Sequence, residues 1–271
     1  MFRATLMVLF SFVLMPVTAW ANEINITGST SVARVMDVLA EQFNLSHPET
    51  YIAVQGIGST AGIAMVKKGV AELGMSSRVL TEREQEETLK VQPLAYDGLA
   101  VVVNPLNPIQ NLTREQLYDI YRGKITNWKQ LGGTDQKIAV VTREASSGTR
   151  YSFESLLGLV KVVKDRQVSA ISPNNLVVNS NSMMKTLINH NKQAIGFIST
   201  GSVDHSVKAI QFEGVDANAK TIANGSYQLS RPFLVFYLDG TLDKNTKLFV
   251  NFLGSGKAKA LIEEYGYIAV K

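Results

Sequence analysis

Four times along this chain an apolar, strand-like run ends in a turn of small polar residues, and a helix-like run follows at once. The turns are residues 28–31 (Gly-Ser-Thr-Ser), 58–60 (Gly-Ser-Thr), 146–149 (Ser-Ser-Gly-Thr) and 179–182 (Asn-Ser-Asn-Ser). Strand, turn and helix in repetition predict an α/β fold with a largely parallel sheet, because parallel strands need helical crossovers between them. The same pattern predicts where a ligand sits. In open α/β sheets ligands bind beyond the carboxyl ends of the strands, where helices begin. A helix start leaves backbone N–H groups unpaired and carries a partial positive charge, so it suits an anion.

The elements follow from periodicity. Val32, Val35, Met36, Leu39 and Phe43 recur at helical spacing after a short strand at Glu23–Ile26. Strands are expected at Tyr51–Gln55, Glu72–Met75, Leu99–Val103, Lys137–Val141, Leu176–Val178, Ala194–Ile198 and Phe233–Tyr237. Helices are expected over Ala61–Val70, over the charged stretch Thr81–Lys90, after the capping-box pair Thr113 and Gln116, and as one amphipathic run from Lys244 to Tyr265. Lys161, Lys164 and Arg166 form the densest basic stretch and read as a solvated helix face or loop.

Arg3, the apolar run Ala4–Met15 and Ala19-Trp20-Ala21 have the order of a secretory signal peptide, with cleavage before Asn22. The apolar run is too short to span a bilayer. The chain has no cysteine, which excludes disulfides and a lipid anchor on an N-terminal cysteine. The expected setting is therefore the periplasm. The net charge of +4 loses one unit with Arg3 and is too small an excess to imply nucleic acid, and the aromatic-and-basic interleaving of such platforms is absent.

Residues 143–150, Arg-Glu-Ala-Ser-Ser-Gly-Thr-Arg, carry the sharpest chemistry. Arg143 offers a planar fork suited to a tetrahedral oxyanion. Ser146, Ser147 and Thr149 supply hydroxyls, and Gly148 lets a ligand approach the backbone. Ordinary helix caps use the same residue types. The arginine and the parallel turns elsewhere in the chain favour a ligand. His47, His190 and His205 are widely spaced with no cysteine beside them, so no metal is expected. Ser147 lacks the Gly-x-Ser-x-Gly elbow of a hydrolase, so no catalysis is expected either.

Longer segments make the chain recognisable. ITGSTSVARVMDVLAEQF (26–43), GIGSTAGIAMVKKGVAELGMSSR (56–78), YDGLAVVVNPLNPIQNLTREQLYDIYRGKITNW (96–128), VVTREASSGTRYSFE (140–154) and NSNSMMKTLINHNKQAIGFIS (179–199) resemble the periplasmic phosphate-binding proteins that serve phosphate-specific ABC transporters. The resemblance covers nearly all of the chain beyond residue 21. It implies a two-lobed periplasmic binding protein fold of type II, with two hinge crossovers and the ligand in the interlobe cleft. It implies a first lobe of residues 22–100 plus 203–271, a second of 101–202, and crossings near Val101–Asn104 and Ser199–Ser202. Inorganic phosphate and an inner-membrane ABC permease would be the partners, with no cofactor, no metal and a monomeric chain. Sulfate or molybdate binding, or a secreted phosphatase, are the alternatives.

By motif the resemblance assigns ligand contacts to Ser29, Thr30, Ser59, Arg143, Ser147, Gly148 and Thr149. Ser77 stands where several family members place an aspartate that accepts the ligand's proton. That departure matters, because hydrogen phosphate carries a donor and sulfate at neutral pH does not. An acceptor facing the ligand discriminates between them. With serine at 77 the task passes to another group: Asp97 is the first candidate and Glu144 the second.

Overall fold

The computed structural model describes residues 22–163 and 166–270. The expected signal peptide, and Lys164 of the basic stretch, lie outside the described residues. The chain opens with β1 (Asn22–Gly28), α1 (Thr30–Asn44), β2 (Thr50–Gly56), α2 (Ser59–Lys67) and β3 (Leu73–Ser76). A long strand β4 (Leu89–Val103) follows, then β5 (Asn111–Leu112), α3 (Arg114–Tyr121), β6 (Ala139–Arg143) and α4 (Gly148–Leu157). A hairpin of β7 (Val160–Val163) and β8 (Arg166–Ser169) leads to β9 (Leu176–Val178), α5 (Asn181–His190) and β10 (Ala194–Ser199). The remainder is β11 (Lys208–Phe212), α6 (Ala219–Ala223), β12 (Ser230–Leu238), α7 (Lys244–Leu253), α8 (Gly256–Glu264) and β13 (Ile268–Ala269).

The strands run in the order β2-β1-β3-β12-β4-β10-β6-β9. The two ends are parallel as expected: β1 with β2 and β3, and β6 with β9 and β10. The middle is antiparallel, because β4 and β12 run between the two halves in opposite directions. Within Leu89–Gly98, β4 pairs with β12 at every residue but Leu94, where the register shifts, and the last five, Leu99–Val103, pair with β10. This run is fully buried. Leu99, Val101 and Val103 point into one core while Ala100 and Val102 point into another, as the two-residue period of a strand requires.

Apolar residues gather on both faces of each half. In the first half, Val32, Val35, Met36, Leu39 and Phe43 of α1 pack on β1, β12 and α7, with Phe43 edge-on to Phe249 at 5.2 Å. Ile63 and Val66 of α2 cover the opposite face with Leu234 and Phe236. In the second half, Phe153 stacks on Phe197 at 3.8 Å and meets Tyr121 edge-on at 4.7 Å. Met184 and Ile188 of α5 cover the other face.

Several expectations need correction. Thr81–Lys90 forms turns, with β4 starting at Leu89. Glu84 is drawn off the would-be helix face by the buried Arg78, which donates two hydrogen bonds to its carboxylate at 2.6 and 2.7 Å. The run from Lys244 to Tyr265 is two helices, because Gly254 ends α7 and the Ser255 hydroxyl caps α8. Of the basic stretch, Lys161 lies in β7 and Arg166 in β8, strands of a hairpin rather than a helix face. Residues 203–229, expected with the first lobe, pack in the second half: Val207 joins one of its cores, and Ile210, Phe212, Ile222, Tyr227 and Leu229 the other. The chain returns to the first half only at Ser230. Opposite it in register stands Gly98, so the crossings lie at 97–99 and 229–231, with Leu99 donating to the Leu229 carbonyl at 2.7 Å.

Close backbone contact sets the position of α2, and through it the second turn. A Cβ on Gly62 would lie 2.5 Å from Gly28 Cα and 2.8 Å from the Thr27 carbonyl. Alanine normally stabilises a helix by about 1 kcal/mol over glycine. Here backbone atoms cannot yield, and overpacking of this kind costs about 1–3 kcal/mol. Gly62→Ala is therefore expected to lower the urea midpoint of unfolding; a raised midpoint would contradict this packing.

Candidate functional site

Each of the four small polar turns ends a parallel strand and starts a helix: β1 to α1, β2 to α2, β6 to α4 and β9 to α5. Side-chain oxygens hold three of these starts. The Ser29 hydroxyl accepts from the amides of Ser31 and Val32, Ser147 from Arg150, and Ser180 from Met183. The amides of the first turn are otherwise left by helical geometry to partners outside the helix.

The fold brings all four turns together. Ser31 and Thr149 hydroxyls lie 2.9 Å apart, and Asn181 Nδ2 donates to Ser31 Oγ at 3.1 Å. The Thr60 amide donates to the Ser146 carbonyl at 3.2 Å. Ser29 Oγ donates to Ser77 Oγ at 2.8 Å, and the Ser77 amide donates to Ser59 Oγ at 3.2 Å. A Cβ on Gly148 would come within 2.2 Å of Ser59 Oγ, so glycine is required for α4 to meet α2 this closely. Ser29, Ser59, Ser77, Arg143, Ser147 and Thr149 are all buried. Seven assigned residues and Ser77 thus form one cluster, shared between the two halves of the molecule.

Arg143 ends β6 and is 1 % exposed. Its Nε and Nη2 donate to Glu144, and Nη2 also donates to Thr30 Oγ1 at 3.0 Å and to the Asn179 carbonyl at 2.8 Å. Its Nη1 is buried and has no hydrogen-bond partner among the described residues. Arginine cannot shed this proton, and a buried unpaired donor costs about 1–3 kcal/mol. The two N–H donors of Nη1 on a fixed cation are therefore held ready for an acceptor. Glu144, the second candidate acceptor, is committed to orienting Arg143, while Arg150 pairs with Glu154.

Asp97 has a different task from the one expected. It is fully buried where β4 crosses between the halves, opposite Arg231 in register. Its Oδ1 accepts from Ser199 Oγ, the Thr200 amide and Thr200 Oγ1 at 2.9–3.1 Å. Its Oδ2 accepts from Arg231 Nε and Nη2 at 3.0 and 2.8 Å. Five donors fill the roughly four lone-pair directions of a carboxylate. Nothing is left to take a ligand's proton. Burial pushes the Asp97 carboxyl up and the Arg231 guanidinium down from their ordinary values, and each partner opposes the other's shift. The five hydrogen bonds to the carboxylate act against the effect of burial. Arg231 Nη1 reaches the Ser77 carbonyl at 3.4 Å, which ties this crossing to the cluster.

Ser31, Asn181 and Ser202 belong to the cluster but were not singled out from sequence; Asn181 Nδ2 also donates to Ser202 Oγ at 3.2 Å. Ser31 and Asn181 lie in two of the flagged turns, so the signal was present. Arg78, just after Ser77, also borders the cluster. It is buried, pairs with Glu84, and lies over the Tyr151 ring of α4 at 4.8 Å. Among the described residues no group of histidine, cysteine or carboxylate side chains could hold a metal. For the crossing, Asp97→Asn would leave Arg231 buried without its counter-charge, a loss of about 3–5 kcal/mol by comparison with other broken buried pairs. A large drop in unfolding free energy in urea is expected; an unchanged value would contradict the assignment.

A family model described as a PBP superfamily domain matches residues 16–263. The chain is 32 % identical over 254 residues to the phosphate-binding protein PstS of Bacillus subtilis, covering 92 % of this chain and 81 % of that protein. It is 29 % identical to PstS of Borreliella burgdorferi over 252 residues, covering 92 % and 90 %. Among solved structures, an ABC-type phosphate transport receptor from Vibrio cholerae is 66 % identical with a TM-score of 0.77, covering 91 % of this chain and 100 % of that one. A putative phosphate ABC transporter substrate-binding protein from Clostridium perfringens, with bound phosphate, is 40 % identical with a TM-score of 0.87, covering 92 % and 100 %. With four converging helix starts around a buried arginine and these relatives along nearly its whole length, the chain belongs to the PBP superfamily, in the group of PstS-type phosphate-binding proteins.

Proposed function

We propose that this protein binds inorganic phosphate in the cluster between its two halves and delivers it to an ABC-type importer in the inner membrane. The observation that carries the reading is the uncommitted Nη1 of Arg143, buried where four helix starts meet. The names of the relatives point to the same ligand and the same transport role.

The halves act as lobes in this reading: residues 22 to about 98 with 230–271, and residues 99–229. Ser29, Thr30, Ser59 and Ser77 approach the anion from the first, and Arg143, Ser147, Gly148 and Thr149 from the second. Hydroxyls rotate freely, so those that now bond one another can turn their protons to an oxyanion. Charge-assisted bonds of this kind are about twice as strong as neutral ones, and a water-free cleft strengthens them further. The anion favours the closed arrangement because only that arrangement brings both sets of donors to it. A membrane permease would then read the closed form.

No chemical step is needed. The Ser147 hydroxyl accepts from the Arg150 amide as a helix cap, a structural task rather than a nucleophile's. No helix of the described residues is long and apolar enough to cross a membrane. The leader expected over residues 1–21 would export a monomeric chain to the periplasm.

Arg143→Met tests the reading directly. Removing hydrogen bonds from a charged donor costs about 1.5–3 kcal/mol, so phosphate affinity should fall at least roughly tenfold in titration calorimetry. Unchanged affinity in a folded Arg143→Met variant would refute it.

A further inference from the structure

Resting on the phosphate reading, we propose that Asn181 Oδ1 accepts a hydrogen bond from the O–H of the bound phosphate and so sets the preference for phosphate over sulfate. Serine at 77 leaves this family position without a carboxylate, Asp97 is saturated, and Glu144 is spent on Arg143. Asn181 is the first residue of α5 and is 7 % exposed. Its Nδ2 is fixed by two hydroxyls, Ser31 Oγ at 3.1 Å and Ser202 Oγ at 3.2 Å. Its Oδ1 is buried with no hydrogen-bond partner among the described residues.

The placement matches the task. Ser31, which holds the Asn181 amide, also touches Thr149, and its neighbour Thr30 touches Arg143. The cluster thus holds an unpaired cationic donor at Arg143 Nη1 and an unpaired acceptor at Asn181 Oδ1, each one hydrogen bond from the adjacent residues Thr30 and Ser31. Hydrogen phosphate offers both complements, negative oxygens and one O–H. Sulfate offers only oxygens and would set one against the amide oxygen. Leaving a buried polar group unpaired is what lets a site reject an analogue.

A neutral amide differs from the carboxylate used elsewhere in the family. It accepts the hydrogen bond without adding charge beside an anion, so binding need not weaken as steeply as it would next to an aspartate when the ligand passes from dihydrogen phosphate to hydrogen phosphate, which still carries one O–H. It also repels sulfate less, because no net charge faces the anion. Selectivity should therefore be real but smaller than a carboxylate gives.

Two variants and one ratio test this. Phosphate affinity is measured by titration calorimetry, and sulfate affinity by displacement of phosphate. Asn181→Leu should bring the two affinities at least roughly tenfold closer. Asn181→Asp should widen the gap and make phosphate binding weaken more steeply as pH rises from 6 to 9 than it does in the wild type. A merely structural role for Asn181 would weaken both anions alike. An unchanged sulfate-to-phosphate ratio in Asn181→Leu, or a pH profile in Asn181→Asp equal to that of the wild type, would overturn the inference while leaving phosphate binding intact. Failure of the wild-type protein to bind phosphate would overturn both.

Discussion

Four helices point their positive ends at one another in this molecule, and a buried guanidinium lies among them. Each helix start carries roughly half a positive charge. Glu144, bonded to the Nε side of Arg143, is the carboxylate that directly offsets it. An arrangement of this sign, drawn from both halves of the fold, is self-repelling until an anion enters. Much of the architecture serves to hold it: parallel strands aim the helix starts inward, Gly62 lets α2 lie on the β1 backbone, and Gly148 lets α4 touch Ser59. Serine and threonine suit these positions because a hydroxyl caps a helix as an acceptor and can present a proton to an oxyanion.

The crossings between halves are built on the opposite plan. β4 and β12 share a long antiparallel ladder with one register shift at Phe233–Leu234, and Asp97 and Arg231 pair across it with no access to water. Burying two charges costs several kcal/mol each before their attraction and hydrogen bonds offset it. Ser199, Thr200 and the bidentate contact with Arg231 provide that offset. The pair ties β4 to β12 where the chain crosses between the halves, and the Arg231 bond to the Ser77 carbonyl leads from it into the cluster. Ser77 also accepts at its carbonyl from Ser152 of α4 at 3.0 Å, so one backbone group is read from the hinge and from the second half together.

Much of this was legible in the sequence where local rules govern. The stripe from Val32 to Phe43, the capping box of Thr113 and Gln116, strand β9 and the meeting of four polar turns follow from periodicity and cap chemistry alone. What failed depended on distant partners. Thr81–Lys90 has helical charge patterning, but a buried Arg78 claims Glu84. Residues 203–229 carry no local mark of which half they join; only the packing of Phe212 and Tyr227 decides it. Asp97 read as a free carboxylate because Arg231, far along the chain, could not be foreseen as its partner. The division of the halves at Gly98 and Ser230 is invisible for the same reason, since a crossing strand looks like any other buried strand. Asn181 lay in a flagged turn, and only its unmatched oxygen separates it from an ordinary helix residue.

The central claim is that both halves grip one phosphate through their helix starts. Hydrogen exchange on the ligand-stripped protein, with and without saturating phosphate, tests it most directly. Phosphate should slow exchange at residues 28–31 and 58–60 of one half and at 146–149 and 179–182 of the other, all together. Protection confined to one half, or none at any of the four turns, would contradict the account.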